Sequence, residues 1–247
     1  MKTGIQVSSL KPLLTTPEQI WDAFEKMSDL GCRCVQLQWI DPSVLIDDIA
    51  RAVKLTDMKS LGTQDFYTSV QADLDYYVNL NALTGGTWLT VSRILETHKS
   101  PEGLDIFAGE LEALQERLAP LGQRVCFHPV SADYNAVPGM NAVEYLLTKL
   151  PWLELCLDLY HLDRNCDDMP AFIRRYAGRI PMVHFKDHRD GKLVPAGQGQ
   201  VRWEGVVKAC LEAGVGYALA EQESWDGDPF ECLGEAMTWI ESEISGE

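Results

Sequence analysis

The sequence predicts a single-domain (β/α)8 TIM barrel over residues 1–247, and three observations lead there. Eight short apolar runs alternate with eight amphipathic segments, and strands separated by helices pair in parallel through right-handed crossovers. A length of 247 residues is also typical of eight such units closing on themselves. Finally, no linker, low-complexity tract or charge block interrupts the alternation, and no Gly-x-Gly-x-x-Gly follows the first strand, so a doubly wound dinucleotide sheet is the lesser alternative.

The elements follow in order. Gly4–Ser8 and Arg33–Trp39 are β-rich runs. Between them Thr16-Pro-Glu-Gln19 has the form of a capping box with proline at the first helical position; Ile20, Ala23, Phe24, Met27 and Leu30 then recur at helical spacing until Gly31 closes the segment. A helix over 43–56, a strand over 59–63, a helix over 69–83 and a strand over 87–91 come next. Ile106, Phe107, Leu111, Leu114 and Leu118 give the helix over 103–120 one apolar stripe. There follow a strand over 124–128, a helix over 140–149, the strand that leads to Asp158, a helix over 169–177 and the strand that carries His184. The last units are a helix over 203–213, the strand of Glu221 and a helix over 229–243.

Composition narrows the function. A net charge of −16 and an isoelectric point near 4.7 argue against nucleic-acid or anionic-membrane partners, which need a basic surface. Small solutes are the expected partners. No run of about 18 apolar residues exists to span a bilayer, and the N-terminal apolar patch is too short for a signal segment. A soluble, cytoplasmic protein is expected. Seven cysteines, among them Cys34, Cys126, Cys156 and Cys210 inside apolar patterns, suit buried reduced thiols. Trp21 and Trp239, placed on helix surfaces, hint at a homo-oligomer.

In such a barrel the active site is built from the C-terminal ends of the strands. Four consecutive strand ends carry reactive groups: His128 on the fifth, Asp158 with His161 on the sixth, His184 with Lys186 on the seventh, and Glu221 with Glu223 on the eighth. Alternation puts His184 and Lys186 on one face, and Glu221 and Glu223 likewise. Asp158 follows Leu-Cys-Leu, where an unpaired carboxylate is costly, so a metal or cation partner is expected for it. Mixed imidazole and carboxylate donors suit Mn, Co, Zn or Fe, and a carboxylate-rich version tolerates Mg. Lys186 as a Schiff-base lysine is disfavoured, because neighbouring acids raise its pKa. His98 and His188 are read as peripheral loop residues.

Val35-Gln36, Phe127-His128, Leu157-Asp158 with His161, Val183-His-Phe-Lys-Asp187, Gly197-Gln-Gly199 with Trp203, and Glu221-Gln-Glu223 occur in an order and spacing that resemble the xylose isomerase-like TIM barrels. That group includes sugar phosphate isomerases, ketose 3-epimerases and inosose dehydratases. The resemblance runs over nearly the whole chain. It implies a divalent metal held by His128, Asp158, His184 and Glu221, a substrate hydroxyl contact from His161, and Gln36 among the substrate residues. Two departures stand out. Epimerases of the group commonly have Glu where this chain has His128, and other members carry an acid a few residues beyond the fifth strand, for which Asp133 is the candidate here.

The expected function is a divalent-metal-dependent sugar or sugar-phosphate isomerase or epimerase acting through an enediolate, with Glu221, Glu223 and Lys186 as its catalytic residues. A keto-polyol dehydratase of the inosose type is the alternative enzyme. A non-catalytic sugar-binding barrel is the alternative outside catalysis.

Overall fold

The computed structural model describes residues 1–246. Strands β1 (Lys2–Gln6), β2 (Cys34–Leu37), β3 (Lys59–Phe66), β4 (Trp88–Ser92), β5 (Arg124–His128), β6 (Glu154–Asp158) and β7 (Met182–Phe185) are joined to β10 (Tyr217–Ala220) in one closed barrel. All neighbours run parallel, and the last strand closes the ring on the first through Lys2↔Tyr217 to Ile5↔Ala220. Between β7 and β10 a small antiparallel hairpin is inserted, β8 (Asp187–Arg189) with β9 (Lys192–Val194), which the sequence pattern did not suggest.

The first helix, α1 (Pro17–Asp29), begins where its sequence predicts, with the Thr16 hydroxyl accepting from the Gln19 amide at 3.3 Å, but the reciprocal half of the capping box is displaced by one residue, Gln19 Oε1 accepting from the Thr15 amide at 3.1 Å. Its apolar residues Ile20, Ala23, Phe24 and Met27 are buried against the barrel wall. Helices α2 (Ile46–Leu55), α3 (Tyr67–Ala72) and α4 (Leu74–Thr84) follow. The single helix expected over 69–83 is two, because Asp73 leaves helical geometry and caps α4 by accepting from the Tyr76 amide. Helix α5 (Pro101–Leu118) buries Phe107, Leu111, Leu114 and Leu118 as expected, but Ile106 is turned to solvent. The remaining helices are α6 (Ser131–Tyr134), α7 (Ala142–Lys149), α8 (Leu159–Asp163), α9 (Met169–Arg175), α10 (Val206–Glu212) and α11 (Pro229–Ser245).

Two other expectations change. The first strand starts earlier than 4–8 and gives way at Val7 to a 3-10 turn over Val7–Leu13. Trp239 is half-buried, its ring packing on Trp203 at 5.1 Å and on Phe185 at 6.2 Å. Among the described residues no helix is long and apolar enough to cross a membrane.

Inside the barrel the layers differ in chemistry. Leu61, Cys126, Cys156, Met182, Leu219 and Cys34 fill the lower part, and all seven cysteines are free thiols. Gly62 sits where a Cβ would meet the Trp88 carbonyl at 1.8 Å, so only glycine lets β3 and β4 approach there. Above this apolar plug the interior turns polar, with Gln6, Gln36, Gln64 and Thr90 all buried. The reactive strand ends stand on that polar floor.

Candidate metal centre at the strand ends

His128 and Asp158 close β5 and β6, His184 is the penultimate residue of β7, Glu221 follows β10, and the four side chains meet. Each is almost fully buried, and one ligand atom from each lies within 4.8 Å of the others. His184 Nδ1 is 3.1 Å from Glu221 Oε2, and His128 Nε2 is 3.9 Å from Asp158 Oδ2. Donors about 2.1 Å from a shared ion stand roughly 3–4 Å apart, and these two separations fall in that range.

The hydrogen-bond inventory tests whether such a group fits. Asp158 Oδ2, His184 Nδ1, Glu221 Oε2 and both ring nitrogens of His128 are buried without a hydrogen-bond partner. Buried polar atoms normally have one. Each of these four residues can turn one lone pair toward a single point, which is the condition a divalent cation satisfies. The opposite sides of two of the ligands are engaged. Asp158 Oδ1 accepts from the amides of Tyr160 at 2.8 Å and His161 at 3.2 Å, and Ser8 Oγ lies 3.4 Å from Glu221 Oε1.

Burial holds the His128 imidazole well below its usual pKa, with the neighbouring His184 acting in the same sense, so it is neutral and able to ligate. Burial likewise pushes the Asp158 carboxyl up to about 7. Burial also works to raise Glu221, but Lys186 and His184 hold it well below the carboxylate range.

Lys186 is inward and nearly buried. Its ammonium is paired with Glu223 Oε1 and lies 3.8 Å from Glu221 Oε2 and 4.0 Å from Asp158 Oδ2. Burial opposes its charge, yet Glu221, Asp158 and Glu223 together raise its pKa above that of a free lysine. It is a fixed cation. Glu223 Oε2 is left without a partner, and burial followed by the charge of Glu221 raises that carboxyl. His161 comes to the same cavity, with Nδ1 2.9 Å from Ser131 Oγ and Nε2 3.6 Å from Asp158 Oδ2. Burial, then Lys186, lowers its pKa to about 4, so it too is neutral. The cavity is walled by Gln38, Trp39, Gln64, Phe66, Ser92 and Arg93 on its other side.

Two expected substrate residues are not available for that role. Asp133 is buried and spends both oxygens on backbone: Oδ1 accepts from Ile94 at 3.0 Å and Oδ2 from Val130 at 2.8 Å. It ties the loops after β4 and β5 together and replaces no active-site acid. Gln36 is fully buried beneath His184, where its Oε1 lies 2.7 Å from His184 Nε2. It supports a ligand from below. His98 is also no solvated loop residue, being buried 3.4 Å from Glu110. Ser8, Gln6 and Ser131 were missed by sequence reasoning, for hydroxyls and amides carry no signal without a fold to place them.

The motif Gly197-Gln-Gly199 with Trp203 has a structural explanation. Asp187, fully buried, accepts from the amides of His188, Gly197, Gly199, Gln200 and Val201 and from the Trp203 indole, at 2.8–3.1 Å. A Cβ on Gly199 would lie 2.1 Å from Asp187 Oδ1, so the backbone wraps the carboxylate only with glycine there. This knot fastens the loop that leaves β7 beside the centre.

Comparison with solved structures gives the same architecture at low identity, where likeness shows the fold alone. A sugar phosphate isomerase/epimerase from Parabacteroides distasonis superposes with a TM-score of 0.78 at 14% identity, covering 96% of this chain and 92% of that one. An L-ribulose 3-epimerase matches with a TM-score of 0.78 at 16% identity over 100% of this chain and 95% of its own. A 3-keto-D-glucoside 4-epimerase from E. coli matches at 0.73 and 17% identity, covering 98% and 99%. Among curated protein sequences nothing matches. The family model described as xylose isomerase-like TIM barrel matches residues 18–243, and the chain belongs to that family.

Proposed function

We propose that this protein is a divalent-metal-dependent isomerase or epimerase of a small polyhydroxy carbonyl compound, a sugar or sugar phosphate. The observation that supports it most is the convergence of four buried ligand atoms, none with a hydrogen-bond partner, beside a cavity that also holds Lys186, Glu223 and His161. The sugar isomerases and epimerases that share the fold support the same class. His128, Asp158, His184 and Glu221 would hold the ion. When bound, it supplies Lewis-acid polarisation to a carbonyl and its neighbouring hydroxyl, which acidifies the carbon-bound proton between them.

The chain's own residues then divide the work. Glu223 is assigned to carry the carbon proton, because its Oε2 is unengaged while Glu221 has one oxygen toward the ligand cluster and the other near Ser8. Its raised pKa also brings it closer to neutrality, where a general base is most effective. Lys186 pins the other oxygen of Glu223 and offsets negative charge that grows on the substrate. His161, neutral and tethered to Ser131 through Nδ1, offers Nε2 to a substrate hydroxyl.

Deuterium exchange tests this. A panel of ketoses, their phosphates and inososes in deuterated water with Mn, Co or Zn should gain deuterium next to the carbonyl. Glu223→Gln should lose that exchange by about 10²–10⁴-fold while keeping its ion. No exchange across the panel with an ion demonstrably bound would leave a binding barrel. A Glu223→Gln variant that exchanges at the wild-type rate would move the role to Glu221.

A further inference from the structure

The floor beneath the centre is a chain of amides whose polarity can be followed in one direction. The Ser8 backbone amide can only donate, and it lies 3.4 Å from Gln6 Oε1. Gln6 therefore turns its Nε2 away, toward Gln36 Oε1 at 3.0 Å. That orients Gln36 as well, with its Nε2 donating to Thr90 Oγ1 at 3.0 Å and its Oε1 left to accept. The same Oε1 is 2.7 Å from His184 Nε2, a distance that requires a proton between the two atoms. An amide oxygen carries none, so the proton is on His184 Nε2. Cys156 Sγ, 3.1 Å from the same nitrogen, does not reverse this, because its own proton has Gln36 Oε1 and Gln64 Oε1 within 3.7 and 3.8 Å.

We infer that Gln6 and Gln36, on barrel strands β1 and β2, which contribute no ligand, are positioning residues that hold a proton on His184 Nε2 and so turn its Nδ1 to the metal centre. Nδ1 is the nitrogen that faces Glu221 Oε2 and has no hydrogen-bond partner. A ligating histidine is oriented by what its other nitrogen donates to, and such outer partners change metal affinity by about 10–100-fold. All members of the chain are buried, so water does not substitute for any of them. Ser8 adds a second hold, since its hydroxyl lies 3.4 Å from Glu221 Oε1 while Oε2 faces the ligands. The end of β1 thus arranges ligands on β7 and after β10 without touching the ion's place itself. The inference rests on the metal-centre reading for its consequence, and on geometry alone for the tautomer.

Nitrogen-15 NMR of the histidine rings in metal-free full-length protein reads the tautomer directly, with no need for a substrate. Wild-type His184 is expected to carry its proton on Nε2. Gln36→Leu removes the acceptor, so the proton should redistribute to Nδ1 and cobalt affinity, read by titration calorimetry, should fall about 10–100-fold. Gln36→Glu keeps an oxygen against Nε2 and should restore the wild-type tautomer. In Gln6→Glu the new carboxylate cannot donate, so Gln36 is expected to reverse its amide and drive the proton to Nδ1, although residue 6 makes no hydrogen bond to His184. A wild-type spectrum with no proton on Nε2 overturns the inference, as does a folded Gln36→Leu with unchanged tautomer and affinity. Should Gln36→Leu fail to fold, the wild-type spectrum and the two glutamate variants decide. Failure of the functional reading alone would appear as a correct tautomer in a protein that takes up no ion.

Discussion

Asp158, which ends β6 of the barrel, and Asp187, which opens the inserted hairpin after β7, are both fully buried, and they are satisfied in opposite ways. Asp187 collects six N–H donors and has nothing left to offer. Asp158 collects two on one oxygen and leaves the other bare, aimed at His128, His184 and Glu221. A buried carboxylate completed by the backbone holds a fold together. One left half complete, among other incomplete donors, is what the proposed metal centre requires. The same residue type at similar depth thus serves architecture in one place and chemistry in the other, and the partner count tells them apart.

That comparison can be broken most strongly at Asp187. Asp187→Ala removes the common acceptor of six N–H donors, and by analogy with other buried charged networks stability should fall by about 3–5 kcal/mol, read from denaturant unfolding. A loss under 1 kcal/mol would mean that the loop is held by something else. Asp158→Asn is the mirror case. The asparagine oxygen still accepts from the Tyr160 and His161 amides and a buried charge is gone, so metal-free stability should not fall, while divalent-ion affinity should drop at least about 100-fold. A destabilised Asp158→Asn with intact ion binding would erase the distinction. The finest adjustment is Trp203→Phe, which removes one of the six donors and keeps the ring beside Phe185. It should cost about 1 kcal/mol in the same unfolding measurement, with ion binding unchanged.

The barrel was legible because its signals are repetitive: apolar runs such as Val125-Cys-Phe127 and Leu155-Cys-Leu157 recur between capped amphipathic helices such as Pro17–Asp29. The cluster of His128, Asp158, His184 and Glu221 was legible for a related reason. A polar residue that ends an apolar strand is conspicuous, and in this architecture the strand ends share one place. The rest depended on partners remote in sequence. Nothing local separates Asp133, consumed by the amides of Ile94 and Val130, from an acid that faces a cavity. Gln36 reads as one polar residue at a strand end, and only the approach of β7 within the closed ring shows that it meets His184 from below. The hairpin after Phe185 escaped notice because its strands are three residues each and half exposed, too short for alternation to register.

The proposed four-residue metal centre is tested most directly by elemental analysis of dialysed protein after loading with Mn, Co or Zn. The wild type should retain one divalent ion per chain, and His184→Ala and Asp158→Asn, folded by circular dichroism, should retain none. A wild type that holds no ion, or variants that keep the wild-type stoichiometry, would contradict it.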